Sequence, residues 1–147
     1  MNRAEFINTC SKSCLLIMGG GLTLLQGCTG SQYIAAQLVG SDMLVPMSAF
    51  QIEKNGAISY KKYVIAHNDK LRYPICVYKI SENEYKALLM KCTHQGTELQ
   101  VFGDRLQCPA HGSEFSITGS VKNGPAETAL RTFPISIENE NLKISLA

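Results

Sequence analysis

From about residue 43 onward, apolar and polar residues alternate in short runs, and no window of a dozen residues keeps the 3.6-residue period of a helix. Segments rich in β-branched and aromatic residues, such as "ISYKKYVIAH" and "YPICVYKI", predict strands. Three further segments each divide into two short runs around a turn: "LQVFGDRLQC", "SEFSITGSVKNG" and "RTFPISIENENLKISLA". The pattern therefore predicts an all-β fold for residues 43–147.

The first thirty residues follow a different pattern. Arg3 and Lys12 precede an apolar run from Cys14 to Leu25, which three consecutive glycines interrupt. A membrane-spanning helix needs about 20 apolar residues, so this run fits the apolar part of a signal sequence better. We expect residues 1–27 to be a signal or anchor segment and residues 28–42, which are small and polar, to be a tether.

Composition narrows the kind of site. The chain has 147 residues, the size of one domain, and its formal charge of +2 comes without a run of Lys or Arg, which argues against nucleic-acid binding. Three of the six cysteines lie within the first thirty residues. The other three, Cys76, Cys92 and Cys108, lie in the body of the chain, residues 43–147. An odd number of body cysteines, two of them followed closely by a histidine, favours a metal site over a disulfide framework.

The candidate site lies in "KCTHQGTELQVFGDRLQCPAHGSEF", where Cys92 and His94 form one pair and Cys108 and His111 a second. Two thiolates and two imidazoles can close a tetrahedral zinc site. They can also hold a [2Fe–2S] cluster, with both cysteines on one iron and both histidines on the other. Zinc fingers usually take two cysteines from one loop and two histidines from another. Here each loop supplies one sulfur and one nitrogen, which favours the diiron cofactor.

The two motifs "CTHQG" and "CPAHGS" resemble the two boxes of the Rieske iron–sulfur proteins, and "NGPA", residues 123–126, is similar to the proline loop that covers the cluster in that family. The resemblance implies a Rieske-type antiparallel β-sandwich over residues 43–147, with a small cluster-binding subdomain of two loops at about residues 90–117. It also implies that Cys92 and Cys108 bind one iron and that His94 and His111 bind the other. Ser113 would donate its hydroxyl to a cluster sulfur.

The sequence departs from the family pattern at two places. One concerns a disulfide that joins the two loops, and the other concerns the redox potential. Quinol-oxidising members have a further cysteine in each box, and these two cysteines form a disulfide. The corresponding places here hold Thr97 and Ala110, as in ferredoxin-like and oxygenase-type members. A tyrosine of high-potential members falls at Phe115, which has no hydroxyl. With Ser113 kept and the tyrosine lost, we expect an intermediate potential, below that of quinol-oxidising centres.

The remaining candidates argue for a carrier rather than a stand-alone catalyst. A Rieske oxygenase needs a second iron site with two histidines and a carboxylate, and only His67 is left for it. We expect His67 to face solvent and Cys76 to pack as a small apolar residue. The sequence thus predicts a one-electron carrier, the subunit or partner of a membrane-associated redox enzyme, that exchanges electrons with a redox protein or a quinol. The alternatives are the iron–sulfur subunit of a quinol-oxidising cytochrome bc-type complex and a structural Cys2His2 zinc module.

Export is suggested by two further resemblances. "LLQGC", which ends at Cys28, resembles the bacterial lipobox, in which the cysteine is acylated and the chain is cut before it. "NRAEFIN" is similar to the twin-arginine export signal, although Ala4 stands where the second arginine belongs. We expect an exported domain, tethered to the membrane on the periplasmic side through the lipidated Cys28 or through an uncleaved N-terminal segment.

Overall fold

The computed structural model describes residues 32–147, and the expected signal segment and Cys28 lie outside these residues. In the described part, strands account for most of the regular structure. The first eight are β1 (Tyr33–Ala35), β2 (Gln37–Val39), β3 (Asp42–Pro46), β4 (Gln51–Lys54), β5 (Ala57–Tyr60), β6 (Tyr63–His67), β7 (Ile75–Lys79) and β8 (Tyr85–Leu89). The others are β9 (Gln100–Phe102), β10 (Arg105–Gln107), β11 (Glu114–Ser116), β12 (Val121–Asn123), β13 (Thr132–Phe133), β14 (Ile135–Glu138) and β15 (Asn141–Ser145). Within residues 32–147, one 3-10 turn, Met47–Phe50, follows β3. The all-β prediction is confirmed.

These strands form three larger sheets and one hairpin. The first sheet has the order β1-β6-β7-β8-β13, and the second has the order β14-β15-β3-β2. The third sheet, β12-β11-β10-β9, carries the loops with the two Cys–His pairs. All strand pairs are antiparallel except β1 with β6. The fourth sheet is the isolated hairpin β4-β5.

The central strands of the first sheet, β6, β7 and β8, are buried on both faces. Successive side chains of a strand point to opposite sides, so each of these strands contributes to two cores. In β7, Ile75 and Val77 belong to a core shared with the second sheet, and Cys76 and Tyr78 belong to a core shared with the third sheet. This arrangement explains why "YPICVYKI" is apolar at nearly every position instead of alternating. The second core also contains Cys92 and Cys108, so the candidate site is built onto one face of the sandwich.

The N-terminal part of the described chain differs from the expected tether. Residues 33–42 form β1, β2 and the start of β3, because each finds a partner: Ile34 pairs with Ala66 and Leu38 with Met43. These residues contribute to the first and second sheets and are part of the folded domain. Any tether formed by residues 28–31 lies outside the described residues.

The predicted turns and hairpins agree with the structure. Gly103 and Asp104 connect β9 to β10, the segment around Gly119 connects β11 to β12, and Asn139 and Glu140 connect β14 to β15. Within residues 32–147, no helix has the length and apolar character needed to span a membrane.

Candidate metal centre

The two Cys–His pairs lie in two loops that close in the same way. We call residues 92–97 the first loop and residues 108–113 the second loop. In each, the N–H of the glycine donates to the carbonyl of the cysteine, Gly96 to Cys92 at 2.8 Å and Gly112 to Cys108 at 2.9 Å. Both glycines have a positive φ, 75° and 77°, which residues with a side chain adopt only with strain.

A second hydrogen bond closes each loop at its end. The Cys92 N–H donates to the carbonyl of Thr97 at 2.8 Å, and the Cys108 N–H donates to the carbonyl of Ser113 at 2.8 Å. The two loops therefore share a backbone scaffold although the histidine stands two residues after Cys92 and three residues after Cys108. Such a scaffold presents one thiol and one imidazole from each side.

The structure brings the four side chains together as two pairs. The thiols of Cys92 and Cys108 are buried, with 1% and 2% of the residue exposed, and they lie within hydrogen-bonding reach of each other. The rings of His94 and His111 are exposed, nearly perpendicular, and have their centroids 5.0 Å apart. Within residues 32–147, no three Cys, His, Asp or Glu side chains gather around a position for a single ion. The site thus has a sulfur pair inside and a nitrogen pair outside.

The environment of Cys108 favours a thiolate. Burial raises the pKa of this thiol, but hydrogen bonds from the backbone of His111 and Ala110 and from the side chains of Cys92 and Thr97 together lower the pKa below its ordinary value. Thiolates are the form in which cysteine binds metal. The loop therefore gives this sulfur the character that a metal ligand needs.

A segment that begins at the last residue of β12 is tied to both loops, and we call it the strap, residues 123–128. The Ala126 N–H donates to Ser113 Oγ of the second loop at 3.0 Å, in the buried interior. Thr93 Oγ1 of the first loop donates to the carbonyl of Thr128 at 2.7 Å. Because Ser113 accepts at Oγ, its hydroxyl proton stays available to a neighbouring acceptor. The strap contains the residues that resemble the proline loop.

Sequence reasoning missed two hydrogen bonds that hold the first loop. Thr93 stands inside the first box, but nothing in the sequence indicates its partner 35 positions later. Tyr73 lies just before β7, and its hydroxyl donates to the carbonyl of Gly96 at 2.6 Å. No motif marks Tyr73, so only the fold identifies it. Thr97, noted only as a replacement for a cysteine, contacts the thiol of Cys108.

Of the other candidates, Cys76 and His67 lie where they were expected, and the structure adds the position of Phe115. Phe115 is fully buried in the core that contains Cys92 and Cys108. Cys76 is fully buried in the same core, and burial raises the pKa of its thiol to about 12, which is consistent with an inert, packed side chain. His67 is exposed at the end of β6. Cys76, Cys92 and Cys108 are all free thiols, so these three form no disulfide with one another.

The donor set fits a [2Fe–2S] cluster better than a zinc ion. A mixed-ligand cluster needs two protein ligands of one type on each iron, and the site offers two thiols beside two imidazoles. A closed zinc site needs four ligands around one point.

Comparison with known proteins agrees with this assignment. The chain is 38% identical over 56 residues to the cytochrome b6-f complex iron-sulfur subunit of Synechococcus sp. strain WH7803, a match that covers 37% of this chain and 32% of that protein. It is 32% identical over 60 residues to the cytochrome b6-f complex iron-sulfur subunit 2 of Nostoc sp. strain PCC 7120, covering 40% of this chain and 34% of that protein. The chain thus spans about a third of the length of the curated relatives it matches.

A solved structure shares the fold. The cyanobacterial plasma membrane Rieske protein PetC3 from Synechocystis PCC 6803 superposes with a TM-score of 0.50 at 26% sequence identity, covering 57% of this chain and 86% of that one. The sequence profile of the Rieske [2Fe-2S] domain matches residues 50–134, more than half of the chain. The match includes both loops and the strap. The chain belongs to the Rieske [2Fe-2S] domain family, and its cofactor is a [2Fe–2S] cluster.

Proposed function

We propose that the chain is a one-electron carrier whose cluster is held by Cys92 and Cys108 on one iron and by His94 and His111 on the other. The observation that carries this proposal is the buried thiol pair beneath an exposed imidazole pair. Family membership supports it, because the two loops lie inside the matched residues. When bound, a Rieske cluster takes up and releases one electron at a time.

The two ends of the site differ in their exposure to solvent. Cys92 and Cys108 lie in an apolar core with Leu99, Leu106 and Phe115, which excludes water from the sulfur end. His94 and His111 reach solvent, so the imidazole end is the edge that a partner can contact. A partner docked at the histidine side would therefore be the one that exchanges an electron with the cluster.

Ser113 is the residue that we propose to tune the potential. Its side chain is completely buried, and the Ala126 N–H fixes its oxygen at 3.0 Å. A hydroxyl held in this way can donate its proton to a cluster sulfur, which stabilises the reduced state and raises the potential.

We also propose that the domain is held at a membrane outside the cytoplasm. The proposal rests on the lipobox-like residues that end at Cys28 and on the apolar run before them. The relatives support it through their names, which describe subunits of the cytochrome b6-f complex and a plasma membrane protein. A Cys28→Ala variant tests lipidation: it should stay uncleaved and lose the mass of the acyl chains, and a variant that matches the parent in both respects would contradict the idea.

Purified holoprotein tests the carrier proposal directly. Protein produced with iron should be reddish brown, should contain acid-labile sulfide, and should show the reduced-state EPR signal of a mixed-ligand cluster. Cys92→Ser and Cys108→Ser should each abolish the colour and the EPR signal. Cys76→Ser is the matched control, and the fraction of this variant that folds should keep both. A colourless parent protein with one bound zinc would contradict the proposal.

A second candidate function is the iron–sulfur subunit of a quinol-oxidising complex. The names of the relatives favour it, since they are cytochrome b6-f subunits. Thr97 and Ala110, at the places of the loop cysteines, stand against it. Co-purification of a b-type cytochrome from solubilised membranes, together with quinol-dependent reduction, would establish this function over that of a free carrier.

A further inference from the structure

A positively charged surface lies next to His94. A cleft of about 490 Å³ opens beside the first loop, and its lining includes Lys91, His94 and Arg131. An adjoining cavity of about 160 Å³ shares Leu89 and Arg131 with the cleft and adds Arg72. We call Arg72, Lys91 and Arg131 the basic surface. All three side chains are exposed, and no carboxylate lines either cavity.

Within residues 32–147, no Asp or Glu side chain forms an ion pair with the basic surface. The ion pairs of the described residues involve Lys86, Arg105 and Lys143, and none involves a member of the basic surface. Arg72 and Lys91 instead lie over the ring of Tyr73, at 5.3 and 5.7 Å from its centroid. Glu98 stands opposite Lys91 in a backbone bridge, but their side chains form no ion pair.

Arg131 is held in place by an aromatic ring and by the backbone of the last two residues. Its guanidinium lies 4.8 Å from the centroid of the Phe133 ring, and it donates to the backbone oxygens of Leu146 at 2.8 Å and Ala147 at 3.4 Å. These contacts fix the position of the guanidinium and leave its outer face exposed beside the cleft. Basic side chains held rigidly at a surface lose little entropy when a partner docks on them.

The cleft on the third sheet shows that this charge is local. That cleft, of about 370 Å³, is lined by both signs of charge, Asp104 and Glu114 with Arg105 and Lys122. Arg105 and Glu114 approach to 3.5 Å and compensate each other. Of these two clefts, the one beside the first loop and His94 is lined by basic residues without a carboxylate, and the one on the third sheet is balanced.

We propose that the basic surface docks an acidic face of the redox partner protein and so brings that partner against His94. The inference rests on the proposed electron-carrier function. Complementary charge speeds the encounter of two proteins and selects the orientation in which they meet. Because the basic surface borders one of the two exposed histidines, the favoured orientation is one that shortens the path for the electron.

Oxidation of the reduced holoprotein by small reagents of opposite charge tests the surface. Hexacyanoferrate(III), an anion, takes one electron and becomes hexacyanoferrate(II), and tris(phenanthroline)cobalt(III), a cation, takes one electron and becomes the cobalt(II) complex. Stopped-flow absorbance gives both second-order rate constants at low salt. Their ratio, anionic over cationic, cancels any change in midpoint potential that a variant causes.

Lys91→Gln and Arg72→Gln should each lower this ratio roughly threefold at low ionic strength, and the effect should fade at about 1 M salt, where the Debye length is about 3 Å. Lys54→Gln, on the β4-β5 hairpin outside both cavities, removes the same charge and should change the ratio much less. Equal ratios for Lys91→Gln and Lys54→Gln would contradict the proposal that the basic surface attracts an acidic partner. Failure of the parent protein to react with either oxidant would instead overturn the carrier function.

A competition experiment distinguishes an extended protein-docking surface from a pocket for a small anion. Poly-L-glutamate should slow the oxidation by hexacyanoferrate(III) at carboxylate concentrations at which free glutamate has little effect, because the polymer presents several charges at once. Inhibition by free glutamate or inorganic phosphate as strong as that by the polymer would overturn the assignment to a protein partner.

Discussion

Thr93 Oγ1 donates a hydrogen bond to the carbonyl of Thr128 at 2.7 Å, and this bond ties the first loop to the strap. The Ala126 N–H ties the same strap to Ser113 of the second loop. One short segment therefore connects both loops of the site. The resemblance to quinol-oxidising Rieske proteins places a disulfide between the two loops there, whereas here the described cysteines are free and hydrogen bonds make the connection.

Thr93→Val should loosen the first loop. The substitution keeps the shape of the side chain and removes the donor to Thr128, and a hydrogen bond of this kind contributes about 1 kcal/mol. We expect the visible absorbance of the holoprotein to decay about fivefold faster than in the parent when it is warmed with an iron chelator. Thr93→Ser keeps the hydroxyl and should decay at nearly the parent rate. Equal decay rates for the valine and serine variants would contradict a role for the hydrogen bond.

Ser113→Ala should lower the midpoint potential and also destabilise the domain. Loss of the hydroxyl removes the proposed donor to the cluster and leaves the buried Ala126 N–H without its acceptor, which costs about 1–3 kcal/mol. Protein-film voltammetry measures the potential, and the temperature at which colour is lost measures the stability. Ser59→Ala, on an exposed strand of the β4-β5 hairpin, serves as the control. An unchanged potential would show that the Ser113 hydroxyl accepts the hydrogen bond from the strap but does not tune the cluster.

The parent midpoint should fall below that of quinol-oxidising Rieske centres, because Phe115 replaces a hydroxyl-bearing tyrosine. Phe115 is fully buried in the core that holds both candidate cysteine ligands. Phe115→Tyr should raise the midpoint by adding a donor at this position. Phe102→Tyr, with an exposed ring on β9, should leave it unchanged. A parent potential as high as that of the quinol-oxidising centres would contradict the expected effect of the missing hydroxyl.

Cys76 should make the domain more sensitive to alkaline pH. Burial raises the pKa of its thiol from 9.0 to about 12. The thiol of the unfolded chain ionises above about pH 9, while the folded one stays protonated until about pH 12. The stabilisation by the buried neutral thiol is therefore complete below pH 9 and is lost progressively as the pH rises towards 12.

The comparison with Cys76→Ala measures this effect. At pH 7 the variant should unfold at a lower temperature, because a smaller side chain leaves space in the core. Between pH 8 and 10.5 the unfolding temperature of the parent should fall more steeply than that of the variant, so the gap between them narrows. A gap that stays constant across this range would mean that the thiol does not remain protonated in the folded protein.

Local signals allowed most of the strands to be predicted and pointed to the two Cys–His pairs as the candidate site. The hairpins depend on turn residues that lie next to their strands, as at Gly103 and Asp104, and the Cys–His pairs are adjacent in sequence. By contrast, β1 and β2 escaped prediction because their short runs become strands only by pairing, β1 with β6 some thirty residues away. The hydrogen bond from Tyr73 to Gly96 was equally hidden, because its partners come together only when the first sheet meets the first loop.

The hydrogen-bonded strap has a consequence for where such a centre can work. Glutathione, thioredoxin and similar reductants cleave a disulfide but do not break hydrogen bonds. Loops held by Thr93, Ser113 and the strap can therefore take their final geometry in reducing surroundings as readily as in oxidising ones. Maturation of the site would need no oxidative folding machinery, and treatment with dithiothreitol, which can reduce the cluster, should leave the iron and acid-labile sulfide content of the holoprotein unchanged.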